Sequence, residues 1–249
     1  MRVSERPLST VPAWIVIGLI VLASAQFIQR KVSYQPVELH VAELAAPPSA
    51  NLLRLIAAGE PEVLSKLAML WLQSFDNQPG ISIPFNELDY GRVIQWLEAS
   101  LILSPRSQYP LFMASHLYSR VNNADKQRMI IEFIYKQFLK DPNRRWRWLA
   151  HAVIIAQHRL NDMALARRLA KVLRESATGE DIPHWAQQME LGILEAQGEY
   201  QSAAMLIGGL LENGQITDPH ELLFLNLRLK ELKNKIPDAA LNSMRNSAR

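Results

Sequence analysis

The strongest constraint on what this chain can fold into is a period. Small or β-branched residues Val93, Ile130, Ala166 and Ala203 recur at intervals of 37, 36 and 37 residues, each in an amphipathic stretch that follows a short polar turn. The first of these stretches, residues 88–105, begins behind Asp89 and stops at Pro105. Aspartate is a preferred helix N-cap, and a helix does not continue past proline, so the stretch predicts one helix. A repeating unit of about 20 to 50 residues built from paired helices buries its apolar face only against its neighbours, which is the signature of an α-solenoid.

Composition agrees. Ten glycines are few, apolar residues make up 49%, and no segment alternates apolar and polar with the period of a strand, while Leu, Ala, Gln, Glu, Lys and Arg recur at helical spacing. The chain is expected to be all-α with a real core. Lys and Arg together number 27 against 24 Asp and Glu, a net charge of +3, too small an excess to call for nucleic acid. Without cysteine there is no disulfide, thiolate nucleophile or Cys-based metal site, a composition that fits an oxidising compartment.

Residues 1–10 form a short polar tail carrying Arg2 and Arg6, and residues 11–28 carry no charge at all. A crossing of the hydrocarbon layer takes about 20 apolar residues. Residues 11–31 are therefore expected to be a single-pass transmembrane anchor, with Trp14 at one interface and Arg30 and Lys31 closing it. A cleaved signal peptide is the rival reading, since Ala23-Ser24-Ala25 is an A-x-A pattern behind an apolar core; a buried core helix is a third. Basic residues tie at two on each side of the span, so charge does not orient it. The short tail, the export-like core and the cysteine-free body favour the inner membrane of a bacterium with the helical domain in the periplasm. The opposite orientation, with that domain cytoplasmic, is the alternative.

Residues 32–50 contain Pro36, Pro47 and Pro48 and read as a linker. The helical domain is expected over 51–235, with a flexible tail at 236–249. Its helices are predicted at 51–58, 61–75, 88–105, 108–121, 125–139, 144–158, 162–176, 184–197, 200–212 and 219–235, the last a capping helix whose Leu222, Leu225, Leu229 and Leu232 share one face. One connection, 76–87, is longer than such turns usually are and contains two prolines and a glycine. It reads either as a binding loop or as a cap in which Ile81, Ile83 and Phe85 shield the first helices.

Asp89-Tyr90 with Val93, Leu97, Leu101 and Pro105, Asn161-Asp162 with Ala166 and Ala170, and Gly198-Glu199-Tyr200 with Ala203 and Ile207 resemble tetratricopeptide repeats. They match that family's turn, its small residue on the second helix and its closing proline, over roughly residues 60 to 235. The period here is longer than the family's 34 or so residues, and Tyr118, Ile154 and Leu191 stand where the family has small residues, so the array is a divergent one. The resemblance implies a TPR-like α-solenoid of about four helix pairs, preceded by the transmembrane helix, whose first helices line a concave groove. It places Phe112, Ser115, Ser119 and Asn122 there, then Trp148, His151, Ile155 and His158, then Trp185, Gln188 and Glu195. Aromatic anchors among polar neighbours suit a peptide or a partner helix, and packing between units is the plainer role for Trp148 and Trp185.

No catalytic, cofactor or metal site is expected. His151 and His158 lie seven residues apart, about 10.5 Å along a helix, too far to share a metal. His116, His184 and His220 lack partners at ligand spacing, and no phosphate loop or nucleophile elbow occurs. The chain reads as a non-enzyme with no small-molecule substrate and no nucleic-acid partner. The basic, aromatic stretch Arg144, Arg145, Trp146, Arg147, Trp148, with Arg167, Arg168 and Lys171 further on, has three readings. They are a solvated helix face, a contact for an acidic protein or anionic headgroups, and a surface for single-stranded nucleic acid. The expected function is a membrane-anchored protein-protein interaction scaffold, an adaptor or assembly factor. The alternative is a permanent accessory subunit of a large membrane or envelope complex.

Overall fold

A computed structural model describes residues 12–32, 43–75, 77–78, 81–82, 87–212, 216 and 218–236. The described residues are almost wholly helical. In chain order the helices are α1 (Ala13–Val32), α2 (Ala50–Ile56), α3 (Pro61–Ser74), α4 (Tyr90–Leu103), α5 (Tyr109–His116), α6 (Ala124–Lys140), α7 (Pro142–His158), α8 (Met163–Ser176), α9 (His184–Gln187), α10 (Met189–Ala196), α11 (Tyr200–Glu212) and α12 (Pro219–Lys235). Two two-residue strands, β1 (Asn77–Gln78) and β2 (Ile81–Ser82), lie between α3 and α4. The chain divides into two units, one holding α1 and the other beginning at Leu44 and holding the remaining helices.

In the first unit, α1 occupies the stretch expected to span a membrane. Its described side chains run from Trp14 to Ile28, and among the described residues no helix is long and apolar enough to cross a membrane. Trp14, Ile17, Leu19, Ile20, Val21 and Leu22 are each at least 60% exposed, so apolar side chains face outward on every side of α1. The tails at 1–10 and 237–249 lie outside the described residues, as does most of the linker; so do the side chains of Ile81, Ile83 and Phe85.

In the second unit most helices pack on their neighbours in sequence, α3 on α4, α5 on α6, α6 on α7, α7 on α8 and α11 on α12, while α2 packs on α4 and α10 packs on both α8 and α11. Contacts between α4 and α6 and between α5 and α7 add the next layer. The four periodic positions Val93, Ile130, Ala166 and Ala203 all have 0% exposure, so the period marks the interior seam. The ends are covered as the leucine pattern predicts. Leu225 and Leu232 of α12 are buried with Leu191, Leu194, Ala203 and Ile207, and at the other end Leu53 and Ala57 are buried with Ala99 and Leu103. The end of the linker joins this unit: Leu44 is buried, and the Trp96 indole N–H donates to the Ala45 carbonyl at 2.8 Å.

Local chemistry sets the boundaries. The side chains of Ser49, Asp89, Asn123, Asp141, Asp162 and Asp218 each accept a backbone N–H from the first turn of the helix they precede, supplying one of the acceptors that helix lacks. Asp162 accepts from the Leu165 N–H and from Arg128, and both bonds hold its carboxyl below the usual range. The turn before α8 uses Asn161 at φ 50° and the turn before α11 uses Gly198 at φ 74°, both left-handed, where glycine and asparagine are tolerated best.

Three boundaries differ from expectation. Asp141-Pro142 was expected to stop α6 ahead of a helix beginning at Arg144. Instead Asp141 ends α6 and caps α7, which starts on Pro142, because proline in the first turn has no hydrogen bond to lose. The predicted helix 108–121 breaks after His116 and resumes as a 3₁₀ turn, Tyr118–Arg120. Here the Ser115 and Ser119 hydroxyls bond back to the Phe112 and Ser115 carbonyls, offering the backbone a competing partner. The predicted helix 184–197 is split at Gln188, where the Gln187 and Gln188 side chains bond outward to the Ala177 carbonyl and to Glu221.

If the periodic positions set the approach of neighbouring helices, Ala166→Leu overfills a fully buried site and lowers stability by about 1–3 kcal/mol. Ala164→Leu, on the exposed side of the same helix, changes it by less than about 0.5 kcal/mol. Urea unfolding followed by far-ultraviolet circular dichroism measures both, and equal midpoints for the two variants would remove the period's structural meaning.

Candidate functional site, an aromatic and imidazole groove

The helices α5, α7 and α9 each contribute an aromatic side chain at nearly the repeat interval: Phe112, Trp148 and Trp185. Phe112 is 40% and Trp185 56% exposed, while Trp148 is half-buried. Phe112 and Trp148 meet edge to face at 6.1 Å, and Trp185 meets Trp146 the same way at 5.6 Å. Such edge contacts suit the ring quadrupole. Trp148 is fixed further by its indole N–H, which donates to the Gln108 side-chain oxygen. The rings bound a shallow cavity of about 440 Å³ floored by Ala150, His151 and Ile154.

Beside it lies a second pocket of about 230 Å³, lined by His116, His151, His158, Arg120 and Arg159 with Ser115, Ser119 and two isoleucines. The His116 and His151 rings stack at 4.3 Å with planes 10° apart. Phe112 stacks on the outer face of His116 at 4.7 Å. The Ser115 hydroxyl donates to the Phe112 carbonyl and also contacts Nδ1 of His116 at 2.8 Å. A hydroxyl has one proton, so while it donates to the carbonyl it accepts from Nδ1–H. Nδ1 of His151 is buried and has no hydrogen-bond partner among the described residues. Burial, then the nearby charges of His116, Arg159 and Arg120, hold the His151 pKa below the ordinary imidazole value; bonding to the Ser115 backbone opposes them.

The residues expected in the groove divide into four groups. Phe112, Trp148, His151, His158 and Trp185 line the two cavities. Ser115, Ser119 and Ile155 are at most 2% exposed, and the Ser119 hydroxyl is spent on the Ser115 carbonyl, so Ser119 is not offered to a partner. Asn122 is exposed in the turn before α6. Gln188 and Glu195 are engaged by the last helix: Gln188 donates to Glu221, and Arg228 pairs with Glu195. The capping helix thus consumes the far end of the expected groove.

Of the six cations offered for an anionic contact, Arg145 is a correction. It is 4% exposed, with one guanidinium nitrogen donating to the Gln137 carbonyl at 2.6 Å and another to the Pro105 carbonyl at 2.8 Å. It ties the ends of α4 and α6 to the start of α7, because a planar fork of donors reaches carbonyls on several elements at once. Burial lowers its pKa. Arg144 pairs with Asp141, Arg167 with Glu199 and, more distantly, Lys171 with Glu175, and Arg147 lies 5.2 Å over the Trp146 ring. Arg168 is exposed.

Sequence reasoning passed over His116, judged only by metal-ligand spacing, and gave no role to Arg120. The signal was present, since His116 and His151 are 35 residues apart, almost one period, and so fall at matching positions of adjacent units. Among the described residues no group of three or more His, Cys, Asp or Glu could hold a metal ion. No family model matches the chain, and neither a curated protein nor a solved structure is significantly similar to it.

Because the His151 pKa is depressed on folding, its contribution to stability is complete above the unfolded imidazole value of about 6.5 and is lost as pH falls toward the folded value. Denaturant midpoints at a series of pH values are expected to fall over that window, and His151→Gln to flatten part of the fall. A midpoint series identical in the two proteins would show that His151 titrates as it does in the unfolded chain.

Proposed function

We propose that this chain is a membrane-anchored interaction scaffold, a divergent TPR-like array that holds a partner protein in its aromatic groove and carries out no chemical step. One observation carries this reading: adjacent helices present Phe112, Trp148 and Trp185 in sequence, and the outer two are 40% and 56% exposed. Half-exposed aromatics held in place by their neighbours are what a partner buries at the centre of an interface, where a single such residue can cost about 2 kcal/mol or more when truncated. Packing of most helices on their sequence neighbours, with the periodic positions fully buried, supports a solenoid of helix pairs.

Anchoring is part of the proposal. Residues 11–28 are uncharged, and α1 exposes apolar side chains all round, a pattern that needs either a protein core or lipid around it. We place the anchor in the inner membrane of a bacterium with the array on the periplasmic side. A tethered groove meets a membrane-associated partner at a raised effective concentration, so a weak contact suffices.

A specific observation also favours the second reading, a permanent structural subunit. Leu55, Leu67 and Leu70 on α2 and α3 are 55–76% exposed, and Leu223, Phe224 and Leu227 on α12 are 49–60% exposed, all outside the two cavities. Extended apolar surface of this kind belongs to obligate interfaces.

Photocrosslinking in the native membrane separates these readings, with a photoreactive residue placed in turn at Trp148, Trp185, Leu67 and Arg168. Capture of one protein at Trp148 and Trp185 is the expected result. Capture at Leu67 with none at the two tryptophans would establish the permanent subunit, and capture at Arg168 alone, or of lipid, would end the groove reading.

A further inference from the structure

We propose that the groove selects an acidic partner segment, whose carboxylates enter the pocket between His116, His151, Arg120 and Arg159, and that protonation of the stacked histidines strengthens the capture. The inference rests on the reading of the groove as a protein-binding surface and adds the chemistry of what is bound.

Charge is the first argument. The groups facing the imidazole pair are Ser115 and His116 from α5, Ser119 and Arg120 from the 3₁₀ turn, and His158 and Arg159 from the end of α7. Arg147 joins them at the rim of the outer cavity. Among the described residues no aspartate or glutamate lines either cavity. Asp162, just beyond Arg159, is used by Arg128, and neither it nor Asp125 lines the pocket. Arg159 reaches only the Ser119 carbonyl, at 3.3 Å, and among the described residues neither it nor Arg120 has a carboxylate within 4.0 Å. Two guanidinium groups without a counter-ion beside a small pocket form an anion site, since arginine matches a carboxylate with paired donors.

The histidine pair supplies the second argument. The rings stack at 4.3 Å beside two arginines, and burial together with these neighbouring charges holds the His151 pKa down while the pocket is empty. The buried Nδ1 of His151 has no partner. A carboxylate in the pocket offsets the repulsion between the protonated rings and the arginines beside them. Aspartate and glutamate are ionised above about pH 4.3 and imidazole is charged below about pH 6.5, so opposite charges coexist between these values. Uptake of one proton on binding raises affinity by up to about tenfold per pH unit within that window. The adjoining rings of Phe112, Trp148 and Trp185 give the segment an apolar contact, so the preferred sequence places Asp or Glu beside an aromatic or aliphatic residue.

The test uses the full chain in nanodiscs, panned with a display library of short random peptides at about pH 5.5 and about pH 7.5, either side of the imidazole midpoint. Winners rich in Asp or Glu next to an apolar residue are expected, binding up to about tenfold more tightly at the lower pH. In the His116→Gln, His151→Gln double variant, checked for native helicity, the pH dependence flattens while weaker binding persists. Arg120→Gln, altering an exposed side chain, weakens binding at both pH values, and so does Trp185→Ala. Neutral or basic winners, or acidic ones whose pH profile survives the histidine substitutions, overturn the inference and leave the groove reading standing. An absence of winners sensitive to Trp185→Ala removes the groove reading as well. Capture of phosphatidylserine vesicles that is lost with Arg120→Gln, in place of peptide capture, reassigns the pocket to a lipid surface and overturns the inference.

Discussion

Helices approach one another only as closely as the side chains between them allow, and in this chain that limit is set by four positions. Val93, Ile130, Ala166 and Ala203 are completely buried, one per interval of 36 or 37 residues, and each stands where successive helices must meet. Two of the four are alanine. Bulk added there propagates into neighbours already at close-packed density. The polar pair Ser65 and Ser100 plays a related part between α3 and α4, where two hydroxyls 2.7 Å apart satisfy each other in a site too tight for larger groups.

On that seam the rest of the unit is a sequence of local decisions. Acidic, serine or asparagine caps start six of the helices, proline follows two of these caps directly and also opens α3, and left-handed residues turn the chain before α8 and α11. Long-range polar contacts then fix one element against another. Arg145 is one such contact. Tyr90 is another, its hydroxyl donating to the Tyr118 carbonyl at 2.8 Å in surroundings buried enough to push its pKa up to about 12.

What was legible in the sequence follows from the range of the interaction concerned. Helix positions, the caps and the leucine face of α12 depend on residues within a few turns of one another, and these agree with the structure to within a few residues. The repeat also exposed the aromatic row, because Phe112, Trp148 and Trp185 keep its interval. Illegible were matters decided across the fold. Arginine 145 looked like its exposed neighbours until carbonyls from Gln137 and Pro105 were seen to enclose it. Ser119 looked like a surface hydroxyl until the break after His116 turned it inward. His116 was weighed as a metal ligand along one helix, whereas its partner lies on the next unit.

The capping helix α12 does more than cover an apolar end. By binding Gln188 and Glu195 it closes the groove beyond Trp185, leaving a slot that crosses only α5, α7 and α9. Neighbouring helices sit about 8–10 Å apart, so this slot is on the order of 20 Å long. An extended chain advances roughly 3.3 Å per residue, and about six residues fill the slot. A ligand of that length is a short linear segment with a fixed stopping point, recognised by its own few side chains and indifferent to the fold of the protein that carries it.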